Sequence, residues 1–280
     1  MESQVQLDHP LVVTSNFTSV EDYVLHLMHL KAYEYASTLC RGRTVLDWGC
    51  NSGYGMSVLA ATARQVGGVD TSDMCLAEVR QRYPEFADCL WLFDGINIPF
   101  SKRDWGAVVS FQVIEHVQNV NAYLSTIRAV LGAGGLALFA TPNRLIRLAP
   151  GMKPWNRFHV KEFSAAELKS TLLEHFRYVQ VYGLQGNEDI VNTERERSAR
   201  AKRYARMHQK VSGRIAMRLQ NVVARAARVT RPQAPREGFQ ESMLDQWTTG
   251  QLFYDADRLD DAIDLFAACS DAPLQGGAIA

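Results

Sequence analysis

The stretch from Thr44 to Gly55, Thr-Val-Leu-Asp-Trp-Gly-Cys-Asn-Ser-Gly-Tyr-Gly, constrains the fold of this chain more than any other. It opens as a short apolar strand, passes through Asp47, and enters a turn carrying Gly49, Gly53 and Gly55. Glycines there let the backbone take positive φ and come close to a ligand without a Cβ clash. An acid at the end of a buried strand stands where open α/β sheets hold what they bind.

The rest of the chain repeats the unit. β-like runs at 44–48, 65–69, 89–93, 107–110 and 136–140 are separated by helical patterns at 55–63, 74–83 and 121–131. A helix over 165–175 then leads into a sixth strand at 178–182, and the apolar run 262–269 supplies a seventh. Strand and helix alternating at this interval predict a doubly wound, mainly parallel α/β sheet. Ahead of it, Val24, Leu27, Met28, Tyr35 and Leu39 recur at helical spacing. The expected organisation is an N-terminal arm and helix over 1–40, a core over 41–184, a basic helical insertion over 185–260 and a last strand and tail over 261–280. Predicted core positions are Val45, Leu46, Val69, Leu92, Val108, Val109, Ile114, Leu138 and Phe139.

Composition removes several classes. Thirty Lys and Arg balance thirty Asp and Glu, so bulk charge favours neither nucleic acid nor a membrane surface. The five cysteines, at 40, 50, 75, 89 and 269, include no CxxC pair, against a zinc knuckle or a disulfide framework. With no leader-like start and no spanning apolar run, the cytoplasm is the expected compartment.

The ligand is narrowed by spacing. A dinucleotide site would show G-x-G-x-x-G, whereas here the pattern is Gly49-x-x-x-Gly53-x-Gly55. Asp47 would crowd a pyrophosphate but suits an ammonium group. Asp70, closing the second strand before Thr71, suits a pair of ribose hydroxyls. Asp94, before Gly95, could take an exocyclic amine of adenine. The competing reading makes Asp70 and Asp94 ordinary helix N-caps.

These landmarks, together with Ser110-Phe-Gln-Val-Ile-Glu-His-Val117, Leu131-Gly-Ala-Gly-Gly135 and Thr141-Pro-Asn-Arg144, resemble the class I S-adenosylmethionine-dependent methyltransferases over about residues 40–185. The resemblance implies a seven-stranded, Rossmann-like sheet with S-adenosylmethionine as cofactor. It places Asp47, Gly49, Cys50, Asn51 and Gly53 around the methionine end, Asp70 and Thr71 at the ribose, Asp94 and Gly95 at the adenine, and Gln112 against the cofactor. Asn51 departs from the usual glycine, yet Asn tolerates left-handed φ better than most residues.

For the chemistry, His116, His159 and Glu115 are the candidates, an imidazole being able to take a proton near neutrality. Each histidine also has a purely structural reading, as a helix-terminus or loop residue. Related enzymes acting on quinone precursors or RNA ends carry Glu-x-x-Glu-His, which resembles a divalent-cation site. Gln112 stands in place of the first Glu, and the favoured reading holds no metal. His29 to Ala36, Asn156 to Phe163 and Asp264 to Ser270 resemble methyltransferases of bacterial glycan and glycolipid assembly, with Ala32 where an arginine is usual. The favoured reaction is therefore O-methylation of a sugar, glycan or glycolipid precursor. A small phenolic, quinone or polyketide-like acceptor is the runner-up, and a non-catalytic cofactor-binding protein the alternative from another class.

Between Glu194 and Arg236 lie thirteen Lys or Arg against two acids. Arg200, Arg203, Arg206, Lys210, Arg214 and Arg218 recur every three or four residues beside an apolar stripe of Tyr204, Met207, Val211, Ile215, Leu219 and Val222. Such a helix reads as a lid with solvated arginines, or as a holder of an anionic substrate or anionic membrane. No aromatic stacking pattern accompanies it, which disfavours nucleic acid. A homodimer is compatible with the sequence.

Overall fold

The computed structural model describes residues 17–101, 103–210 and 246–274. The arm before Phe17 and the part of the basic repeat from Val211 to Val222 lie outside the described residues. Eight strands form a single sheet: β1 Thr44–Trp48, β2 Gln65–Asp70, β3 Leu90–Leu92, β4 Trp105–Phe111, β5 Leu131–Pro142, β6 Tyr178–Gly186, β7 Leu252–Asp255 and β8 Asp264–Ser270. Their order is β3-β2-β1-β4-β5-β8-β6-β7. The pairs from β3 through β5 are parallel, while β8 runs antiparallel to both β5 and β6.

Among the described residues seven α-helices cover it: α1 Val20–Leu39, α2 Tyr54–Ala60, α3 Asp73–Arg82, α4 Val120–Val130, α5 Arg144–Arg147, α6 Ala165–Leu173 and α7 Glu188–Lys210. Both faces of β1 are buried, so its apolar run is continuous rather than alternating. Val45 joins the layer made with Ala36 of α1, Met56 of α2 and Val79 of α3. Leu46 points to the opposite layer, made with Ile127 of α4 and Leu168 of α6. The helices begin where short polar side chains satisfy their free N–H groups: Ser19 accepts from the Asp22 amide, Asn119 from that of Ala122, and Ser164 with Glu167 forms a capping box.

Two expectations are corrected. The sheet has an eighth strand, because Leu252–Asp255 pairs antiparallel with β6 from Gly186 to Gly183. Four residues on a sheet edge carry too little alternation to stand out inside a segment read as helical and basic. Leu92 is 49% exposed, since β3 is the opposite edge and covers that position on one side only. The other eight predicted core positions are buried.

The start of α7 belongs to the body of the protein. Its Ile190 and Val191 pack with Val24, Leu27 and Met28 of α1, above the carboxyl edge of the sheet. Among the described residues no helix is long and apolar enough to cross a membrane.

Phe139 is fully buried and joins the rings of Tyr123 and Phe176 between the sheet and its helices. Phe139→Ala is expected to lower unfolding free energy by about 3–5 kcal/mol, read as a lower denaturant midpoint with an unchanged slope.

Candidate functional site

β1 and β4 are neighbours, and the connection leaving β1 crosses to β2 on one side while that leaving β4 crosses to β5 on the other. A cavity of about 520 Å³ opens at the carboxyl end of β1, within the range of small-molecule sites. The turn that forms its floor is tied to β2: the Gly49 and Cys50 amides donate to the Val69 carbonyl at 2.7 and 3.1 Å. Gly49 takes φ +92°, Asn51 φ +43° and Gly53, which caps α2, φ +75°. A Cβ on Gly55 would lie 2.1 Å from the Tyr33 ring. That glycine lets α1 bring Tyr33 against the turn, and the Tyr33 hydroxyl donates to both Asp47 oxygens at 3.2–3.3 Å.

Gly49, Cys50, Asn51, Asp70, Thr71 and Gln112 all line the cavity. The Asp70 carboxylate accepts from the Asn51 and Ser72 amides, both at 2.9 Å, which fixes its orientation. The cap of α3 is Ser72, not Asp70. Phe93 and Val113 give the cavity an apolar side.

Four predicted cofactor residues are not on its wall. Asp47 is fully buried one layer behind, under Tyr33. Gly53 closes the turn. Asp94 and Gly95 are exposed, and Asp94 accepts from the Ile96 and Asn97 amides and the Asn97 side chain at 2.6–2.8 Å. Those bonds hold its carboxyl below the usual range. Asp94 thus organises its own loop, a role the sequence motif does not separate from ligand contact.

The far end of the cavity collects the catalytic candidates. The Glu115 carbonyl accepts from the Val160 and Lys161 amides at 2.8 and 3.2 Å, which fastens the loop after α5 to the end of β4. In consequence the His116 and His159 rings stand edge to face, 4.6 Å between centroids. His116 Nδ1 lies 2.9 Å from the Phe158 carbonyl, an acceptor, so this nitrogen carries the proton. His159 Nδ1 lies 2.7 Å from Glu162 Oε1. Burial opposes charge on Glu162, but His159 and Arg147 prevail and hold its carboxyl below the usual value. With Nδ1 of each ring engaged by an oxygen, Nε2 is the nitrogen left to accept.

Glu115 is completely buried. The Thr141 hydroxyl donates to Oε2 at 3.0 Å, and Oε1 has no hydrogen-bond partner. Burial pushes its carboxyl up to about 7, against the Thr141 bond and the charge of Arg147. One donor atom from each of Glu115, His116 and His159 lies within 4.8 Å of the others. With Nδ1 of each ring held by an oxygen, this set can also receive a small divalent cation.

Sequence reasoning missed the supports around these groups. Arg147 Nε donates to both Glu162 oxygens at 3.1 Å, and its guanidinium lies 4.2 Å from the centre of the Trp155 ring. Arg197 of α7 binds Glu194 in a two-bond pair and approaches the same ring at 5.7 Å. Gln112 holds the buried Asp264 at 3.0 Å, and burial with the charges of Glu115 and Glu194 drives that carboxyl well above its usual range. His29, on α1, is held down to about 4 by burial and neighbouring His26, Arg197 and Arg147, so it stays neutral. Only Glu162, three residues after His159, carried a local signal.

The sequence pattern of a methyltransferase-domain family matches residues 25–180. A probable S-adenosylmethionine-dependent methyltransferase of Mycolicibacterium smegmatis is 39% identical over 145 residues, 51% of this chain and 55% of that protein. A demethylmenaquinone methyltransferase of Tropheryma whipplei is 28% identical over 108 residues, 38% of this chain and 45% of its own length. The chain therefore spans about half the length of these relatives. Among solved structures, an S-adenosylmethionine-dependent methyltransferase of Thermotoga maritima, described as a possible histamine N-methyltransferase, aligns with TM-score 0.52 at 11% identity, over 89% of this chain and 92% of that one. That likeness shows the shared fold.

Burial raises the Asp47 carboxyl to about 8, with the Tyr33 bond opposing and the Asp70 charge adding to the rise. A folded-state value above the unfolded one means that Asp47 costs the ligand-free protein stability as pH climbs toward 8. Asp47→Asn is expected to melt higher than the parent chain, with the gap widening from about pH 5 to about pH 8 in thermal scans.

Proposed function

We propose that this chain, which belongs to the methyltransferase-domain family, transfers a methyl group from S-adenosylmethionine as cofactor, and that the acceptor is a hydroxyl on a sugar, glycan or glycolipid precursor. The residues present fit the cofactor. Asp70, oriented by two backbone amides, is placed for the ribose hydroxyls. Phe93 and Val113 offer the purine an apolar surface, and the buried Tyr33–Asp47 pair lies behind Gly49 for the cationic end. When bound, the cofactor supplies an electrophilic methyl group for an in-line displacement, in which proximity and alignment count for roughly 7–11 kcal/mol.

The observation that carries the hydroxyl reading is the His159–Glu162 contact at 2.7 Å, beside His116 and on the same cavity as Asp70. Glu162 holds Nδ1 of His159 and leaves Nε2 to accept the acceptor's proton as its oxygen becomes nucleophilic. Glu162 then stabilises the imidazolium, as the carboxylate does in other acid–histidine pairs. Trp155 and the Asn156 backbone turn border the same end, a flat ring and polar groups suited to a sugar. The Tropheryma relative acts on a demethylated menaquinone by its name, which favours a small phenolic or quinone acceptor as the second reading. A cytoplasmic setting belongs to this proposal, and the five cysteines are all unpaired.

The test is transfer of labelled methyl from the cofactor to fractionated cell extract, followed by kinetics on the acceptor found. His159→Ala is expected to lower kcat by about 10²–10⁴-fold, with cofactor affinity by calorimetry unchanged. Asp70→Ala should instead weaken cofactor binding by about tenfold or more. Full activity in both His116→Ala and His159→Ala would remove the imidazole base. Activity abolished by a chelator and restored by a divalent metal would assign the Glu115, His116 and His159 cluster to a cation instead.

A further inference from the structure

Beyond Arg147, on the same side of α7, lies a second and separate concavity. α5 ends at Arg147, and the next residues, Leu148 to Pro150, form the floor of this space of about 750 Å³. α7 walls both spaces: Glu194 and Arg197 face the first, and the residues one to three turns further on face the second. The two are thus neighbours along the same pair of elements, with Arg147 and Arg197 lining the first.

The second space is strongly basic. Arg200, Lys202, Arg203 and Arg206 line it against a single acid, Glu196. Arg200 is engaged by Glu21 of α1 at 2.5 Å. Among the described residues no ion pair is made by Lys202, Arg203 or Arg206. Burial, and then the charge of Arg206, hold the Lys202 ammonium below its usual value, in a lining where four cations face one acid. Crowded cations over a concave, partly apolar floor are stabilised by a group that brings several anionic oxygens at once, which a phosphate does and a single carboxylate does less well.

We propose that this groove binds a phosphate or diphosphate group carried by the acceptor, and so that the methylated hydroxyl belongs to a phosphate-linked substrate. The inference rests on the reading of the first cavity as the acceptor site. Six to nine residues of helix separate Arg197 from Arg203 and Arg206, roughly 9–14 Å at 1.5 Å per residue. That span places a phosphate about one sugar unit beyond the group held near Trp155.

Inorganic pyrophosphate is the probe, titrated calorimetrically into the full chain, so that binding is read without any methyl transfer. One pyrophosphate per chain is expected. The triple change Lys202→Gln, Arg203→Gln, Arg206→Gln should weaken it by about tenfold or more, while Arg41→Gln, on an exposed position remote from the groove, leaves it unchanged. Thermal melting confirms that the triple variant is folded. Absent pyrophosphate binding, or binding indifferent to the triple change, overturns the proposal. So does recruitment to vesicles of phosphatidylglycerol in phosphatidylcholine that is lost in the triple variant when pyrophosphate does not bind, since the basic face would then meet a membrane. Retained pyrophosphate binding in a protein that methylates no hydroxyl would keep the groove and remove the acceptor reading, so the two failures are told apart.

Discussion

Two hydrogen bonds, from the Gly49 and Cys50 amides to the Val69 carbonyl, hold the first turn across the end of β2. They continue the parallel register of β1 with β2 past the last paired residues, Trp48 and Val69. With that turn in place, Asn51 meets Asp70 and Gly55 receives the Tyr33 ring, so α1 and two strands converge on one cavity. Were the turn free, the loop amides would have to be satisfied by water, and Asp70 would lose the Asn51 bond, one of the two that orient it.

Charge at the histidine end of the cavity is arranged in compensated pairs. Arg147 with Glu162, and Arg197 with Glu194, place two guanidinium–carboxylate pairs beside Trp155. Burying such pairs is costly, and each stands only because its hydrogen bonds are made. The two acids left without a cation in hydrogen-bond contact, Glu115 and Asp264, respond differently, with carboxyls raised by burial. The histidines sit between these regimes, one held by a carboxylate and the other by a peptide carbonyl. Both imidazoles are thus held in a fixed orientation by an oxygen at Nδ1.

The motif residues were legible unequally, for local reasons. The place of Asp70 on the cavity wall could be read because a strand end, a loop and a helix start leave its carboxylate few places to go. Asp94 follows the same pattern, yet its loop supplies three donors of its own and turns it outward. Asp47 is buried behind the wall because Tyr33, fourteen residues upstream, covers it. His116 and His159 were each visible as candidates, but their 4.6 Å approach depends on backbone bonds from Glu115 to Val160 and Lys161.

Local pattern alone determined the alternation of strands and helices, the glycine turn and most of the buried positions, because strand periodicity, caps and left-handed turns are properties of neighbouring residues. Tertiary structure decided the edge strand β7, the exposure of Leu92, the Arg147–Glu162–His159 contact and the part played by α7. Each of those depends on which segments pack together across long stretches of chain. The pairing of these side chains, and the exposure of the one misread core position, are set by that packing, and no spacing of residues along the sequence encodes them.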